Sequence, residues 1–136
     1  MRPFPFKYLP PLPSTTLPPF TTMAGTTKIN NFTGALIYYI RRCLHDWTFP
    51  DCVRILKNIA DAMIPGVSRL LISEMVVPAQ GADPEVCWYD ITMMASGGME
   101  RTEKQWIELL DASGFKLRKV WQVPGSNNGV VEAYLK

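Results

Sequence analysis

The sequence predicts an α/β fold: a partial sheet of parallel strands closed by an antiparallel hairpin, with helices on both faces. Three observations carry that expectation. Short apolar runs alternate with segments of helical periodicity, as in parallel α/β sheets. One run, "RLLISEMVVP", is apolar nearly throughout, the pattern of a strand buried on both faces. The chain closes on two strand-like segments joined by "PGSNNG", whose residues have hairpin turn chemistry.

The elements follow in order. Residues 1–33 read as a disordered Pro/Thr-rich tail, because "PFPFKYLPPLPSTTLPPF" offers no continuous apolar face and favours extended polyproline backbone. Lys7, Pro10 and Pro13 form a K-x-x-P-x-x-P pattern of the kind an SH3-type groove accepts, and such patterns also occur by chance in Pro-rich tails. From Gly34 the texture changes, and residues 34–136 read as the folded part. "ALIYYI" is a short buried strand. Thr48 is a helix cap with Asp51 as its capping-box partner, and Pro50 falls in the first turn, where its missing N–H costs little. Cys52, Leu56, Ile59 and Met63 recur at helical spacing, and "PG" at 65–66 ends that helix.

The strand 69–78 comes next, then the loop "AQGADPE" and a second helix over about 86–95. "SGGMERT" is a turn. Thr102 with Gln105 forms a capping box for a third helix that ends near Gly114. "FKLRKVWQV" and "GVVEAYLK" are the closing strands.

Composition narrows the function. Net charge is only +2, so bulk charge gives no reason to expect nucleic acid. The charge is uneven: no Asp or Glu precedes Asp46, and five of the basic residues lie before it. Three cysteines at wide spacing and one histidine suit neither a disulfide framework nor a Cys-rich zinc site, so a reducing, cytoplasmic setting is expected. No run has the roughly 18 apolar residues of a membrane span. The acid-free start resembles a transit peptide, but seven prolines in the first twenty residues deny it the required amphipathic helix.

The candidate chemistry sits after the first strand. Open α/β sheets bind ligands beyond the carboxyl ends of their strands. His45, the sole histidine, lies there, and a neutral imidazole at that corner is suited to accept a proton. A structurally bonded histidine fits the position equally well. Glu74 interrupts the apolar run of the next strand, and a carboxylate there must be paired or reach a wet cleft. If the two strands are neighbours, Glu74 can hold the imidazole's second nitrogen; the alternative is a salt bridge to Arg69, Arg41 or Arg42. Glu100, alone, is a loop glutamate. Met93, Met94 and Met99 are either core or the lining of an adaptable apolar pocket. Asp46 is close to a helix N-terminus, and Trp47 reads as packing.

Several blocks together resemble one family. "YYIRRCLHDW", "ILKNIADAMIPG", "LLISEMVVP", "DITMMASGGMERTEKQWIELLDASGF" and the closing "YLK" are similar to the C-terminal part of plant- and fungal-type S-adenosylmethionine-dependent O-methyltransferases, over about residues 34–136. The resemblance implies a partial Rossmann-like methyltransferase sheet and methyl transfer from S-adenosyl-L-methionine to a hydroxyl of a small aromatic or polyketide-like acceptor. It implies that His45 is the catalytic base and that Glu74 and Glu100 flank and orient it. Arg41 matches a position bordering the cofactor, and Asp46 one near the acceptor's ring substituents. Asp90, Met93 and Met94 fall on the helix that walls the acceptor.

The family's glycine-rich strand–turn–helix for the cofactor has no counterpart among this sequence's nine glycines. The first strand is therefore expected at an open, apolar sheet edge, and this chain alone is expected to bind the cofactor weakly or not at all. The rival expectations are an inactive fragment, or a binding module that completes its cofactor site by associating with a full-length relative.

Overall fold

The computed structural model describes residues 33–136. The expected tail and its K-x-x-P-x-x-P pattern therefore lie outside the described residues, apart from Thr33.

The four expected strands and three helices follow in the expected sequence, and a short fifth strand forms where a turn was expected. β1 (Ile37–Arg41) leads through a single 3-10 turn (Leu44–Asp46) into α1 (Phe49–Ala62). β2 (Arg69–Val77), α2 (Pro84–Met94), the two-residue β3 (Arg101–Thr102) and α3 (Glu103–Ala112) come next, and β4 (Phe115–Gln122) and β5 (Asn128–Leu135) close the chain. The sheet order is β1-β2-β5-β4. β1 runs parallel to β2, with Arg41 opposite Ser73. β5 is antiparallel to both β2 and β4, and β3 pairs in parallel with the end of β2, Val76 opposite Arg101.

Each helix is defined by local chemistry. The stripe Cys52, Leu56, Ile59 and Met63 is buried, as its spacing requires. The capping box of α3 is complete: Gln105 N–H donates to Thr102 Oγ1, and Thr102 N–H to Gln105 Oε1. The one expected at α1 does not form. The Thr48 hydroxyl donates to Asp51 Oδ2 at 2.6 Å and leaves the backbone N–H groups uncapped by its side chain. α2 starts two residues earlier than the sequence suggested, because Asp83 Oδ1 accepts the Glu85 N–H and Pro84 opens the helix.

One face of the sheet carries the core. Tyr38, Leu70, Ile72, Val76, Val131 and Ala133 meet Leu56 and Ile59 of α1 and Trp106, Leu109 and Leu110 of α3. Each fully buried large aliphatic side chain there contributes about 1.5–3 kcal/mol. Tyr38 OH donates to the Ala62 carbonyl at 2.7 Å and pins the end of α1 to β1. β2 was expected to be buried on both faces. It is buried along Leu70, Ile72, Glu74 and Val76, whereas on the other face Met75 is buried and Leu71 and Ser73 are half-buried. α1 and α3 share the first face, and α2 is tied instead at the strands' carboxyl ends, to Arg42, Asn127 and Glu100.

The two sheet edges differ. β1 is an edge strand, as expected, with Ile37 59% and Tyr39 47% exposed. β4, the other edge, exposes Lys116, Arg118 and Lys119 and carries a bulge between Leu117 and Lys119.

Candidate active site

The register of β1 against β2 sets the site. The 3-10 turn that follows β1 emerges beside the end of β2, so His45 and Glu74 reach the same rim. Glu74 Oε1 accepts the backbone N–H groups of Cys43 at 2.8 Å and Leu44 at 3.0 Å. These are the free donors at the start of the turn, where a carboxylate is favoured. Glu74 is thus held by backbone, and not by the arginine salt bridge that the sequence also allowed.

Glu100 arrives from the turn after α2. Its Oε1 lies 2.8 Å from His45 Nδ1, and Glu74 Oε2 lies 3.7 Å from the same nitrogen. An ionised carboxylate only accepts, so the shorter contact puts the proton on Nδ1 and leaves the Nε2 lone pair available. Nε2 has Asp46 Oδ1 at 3.6 Å, on a side chain that is half exposed. His45, Glu74 and Glu100 are all buried, and Glu74 Oε2 and Glu100 Oε2 have no hydrogen-bond partner among the described residues. Burial pushes the Glu74 carboxyl above its ordinary range, against the opposing pull of the Cys43 N–H, the imidazole and the Leu44 N–H.

The same three residues form a possible donor set for a metal ion. A tetrahedral ion with ligands at 2.0–2.1 Å holds its donors about 3.3 Å apart. The contact between Nδ1 and Oε1 is shorter, at 2.8 Å, and is a hydrogen bond.

Two residues that the sequence left without a role close the site. Gly98 packs against the histidine turn, where an added Cβ would fall 1.9 Å from the His45 carbonyl oxygen. Met99 N–H then donates to that oxygen at 2.9 Å. Arg101, 1% exposed, reaches across to the same turn from β3. The sequence signal for Gly98 was the paired glycine of "SGGMERT"; Arg101 gave none, because its partners are backbone carbonyls.

The remaining candidates are more scattered. Asp90 Oδ1 accepts the Glu100 backbone N–H at 2.8 Å and so steadies that carboxylate's position. Met93 is half-buried, and its carbonyl accepts the Gly98 N–H. Met94 is 68% exposed, and Arg41 is exposed at the end of β1; neither reaches the cluster. The three cysteines are free.

Comparison with known proteins shows the family. The family model described as O-methyltransferase domain matches residues 13–116. The chain belongs to that O-methyltransferase family. Among curated relatives, O-methyltransferase kntB of Aspergillus niger is 52% identical over 103 residues, covering 76% of this chain and 25% of its own length. O-methyltransferase afvC of Aspergillus flavus is 50% identical over the same span. This O-methyltransferase-family chain thus spans about a quarter of the length of those relatives.

Among solved structures, OxaC matches with a TM-score of 0.76 and 47% identity, over 79% of this chain and 27% of that one. OxaC has been solved with SAH and oxaline. LepI, solved with SAM, matches with a TM-score of 0.73 and 33% identity, over 76% of this chain and 27% of its own. A further neighbour with the same scores is titled a pericyclic reaction enzyme, so kinship does not by itself fix the reaction.

The family uses S-adenosylmethionine, and the described residues fit that group only in part. They provide a buried imidazole beside two buried glutamates. They do not provide a glycine-rich cradle for the adenosyl portion: the turn from β1 to α1 has no glycine, and the one from β2 to α2 has Gly81 alone. No helix among the described residues is long and apolar enough to cross a membrane.

Proposed function

We propose that this chain is the acceptor-side portion of an S-adenosyl-L-methionine-dependent O-methyltransferase, with His45 as the general base that takes the proton from a hydroxyl of a small aromatic or polyketide-like acceptor. The observation that carries this reading is the 2.8 Å contact between His45 Nδ1 and Glu100 Oε1, which leaves Nε2 as the free proton acceptor.

S-adenosyl-L-methionine supplies the methyl group. The residues of this chain handle the proton. Glu74 anchors the turn that carries His45, and Glu100 fixes the tautomer. As Nε2 takes a proton the ring becomes cationic, and two buried carboxylates beside Nδ1 stabilise that charge. A phenol has a pKa near 10, so an aligned base matters and contributes about 10²–10⁴-fold. Asp46, beside Nε2, borders the place where the acceptor hydroxyl would enter. Asp90 and Met93 lie at the turn that delivers Glu100, and Met94 and Arg41 would meet the acceptor and the cofactor only once the site is completed.

That completion is the second part of the proposal. The open β1 edge favours a chain that works together with the remainder of a family catalytic domain, by association with a full-length relative. By itself the chain binds S-adenosylmethionine weakly or not at all; micromolar affinity in titration calorimetry would overturn that statement. Mixed with a full-length relative whose own base is disabled, the wild-type chain should restore methylation of phenolic acceptors. His45→Gln should lower that turnover by about 10²–10⁴-fold with little effect on cofactor binding. Equal turnover would remove His45 from the chemistry, and no co-purification would leave the chain an inactive fragment.

A further inference from the structure

We propose that Arg101 is the positioning residue for the His45 base, a buried guanidinium that fastens the histidine turn to the segment bearing Glu100. The inference rests on the reading of His45 as the base and adds the device that sets its geometry.

The guanidinium is 1% exposed and faces no carboxylate among its contacts. Nη1 donates to the Leu44 carbonyl at 2.9 Å and to the Met99 carbonyl at 3.5 Å. Nη2 donates to the Trp47 carbonyl at 3.2 Å and to Cys52 Sγ at 3.4 Å. The Trp106 ring lies against it, 5.4 Å from centroid to guanidinium carbon. The carbonyls belong to the residue before His45, the residue two after it, and the residue before Glu100. One planar cation thus spans both arms of the contact between Nδ1 and Oε1.

A buried charge normally needs a countercharge. Here its solvation comes from carbonyl dipoles and a ring face, an arrangement that is costly to assemble and loses its compensation if the turn moves. Five N–H donors in a fixed fork suit this task, and a lysine ammonium, a point donor, does not reach the same set. The backbone has the complementary constraint: Gly98 lets the two arms approach, and Arg101 keeps them there.

His45 is the only histidine, so its ring nitrogens are unambiguous in a spectrum of the whole chain labelled with 15N-histidine. In alkaline buffer the wild type should show the Nδ1–H tautomer in large excess. Arg101→Lys and Arg101→Gln should lower the ratio of Nδ1–H to Nε2–H by about tenfold or more, since a charge-assisted hydrogen bond is worth about 1.5–3 kcal/mol and tenfold is about 1.4. A core change away from the turn, Leu109→Ala, should destabilise the fold and leave the ratio unchanged.

A folded Arg101 variant that keeps the wild-type tautomer ratio would overturn the proposal. Should neither variant fold, the wild type decides: a clamped guanidinium gives distinct, slowly exchanging Nη signals, and averaged Nη signals would overturn the assignment. None of these readings involves turnover, so failure of the clamp and failure of His45 as a base are separable.

Discussion

The two regions that meet at the carboxyl end of the sheet are built to different standards. The histidine turn is buried and held on every side, by Glu74, Glu100, Arg101 and the Met99 N–H. α2, which leads into the turn that bears Glu100, buries Val86 alone and exposes Trp88, Ile91 and Met94. The difference teaches which part of the proposed site this chain pre-forms. The proposed base has its distances fixed by its neighbours, whereas α2 presents apolar side chains with nothing among the described residues to receive them.

The comparison can be broken by substitution, and the largest effect should come from the packed side. Gly98→Ala drives a Cβ into the His45 carbonyl. It should cost about 3 kcal/mol or more, since backbone must shift to admit it. Urea denaturation measures this, and a loss below about 1 kcal/mol would mean that the two turns are not locked together.

Glu74 gives the next test, through pH. Its folded-state pKa is raised, so the folded chain holds that proton to higher pH than the unfolded chain does. Its ionisation therefore removes stability as pH rises from about 4.3 through the raised value, by up to about 1.4 kcal/mol per pH unit. Glu74→Gln should lack that slope. Glu132 gives the opposite sign. Burial opposes its charge, but Trp121 Nε1–H and Arg118 outweigh burial and hold its pKa low. Its contribution is present above the unfolded value and fades as pH falls through the lowered one. Denaturant midpoints of Glu74→Gln and Glu132→Gln, followed from pH 4 upward, should diverge from wild type in opposite directions.

The smallest effect belongs to α2. Trp88 is 70% exposed, and Trp88→Ala should alter stability by less than about 0.5 kcal/mol. A loss of 2 kcal/mol would show that α2 is as tightly integrated as the histidine turn.

Much of this was legible in the sequence because it is written in side-chain pattern. The stripe of α1, the capping box of α3, the apolar β2 and the closing hairpin each follow from spacing or turn chemistry. What was not legible involves backbone partners. Thr48 has the right neighbour for a capping box, yet its hydroxyl donates to that Asp51 carboxylate and does not cap the helix backbone. Glu74 read as a partner for the imidazole or for an arginine, and the two backbone N–H groups that it also holds were not foreseen. Arg101 read as one member of a turn, because the carbonyl oxygens of Leu44 and Trp47, more than fifty positions away in sequence, leave no mark on residue identity. β3, two residues long, is below the length at which alternation is visible. The uneven burial of the two faces of β2 also escaped, since an apolar run looks the same whether both sides are covered fully or in part.

The unlike edges of the sheet have a consequence for self-assembly. A fibre requires each copy to offer two adhesive borders. Here the Lys116, Arg118 and Lys119 border repels its like and is kinked by a bulge. The Ile37 and Tyr39 border instead exposes apolar side chains, so like-with-like strand joining is favoured at β1 and opposed at β4.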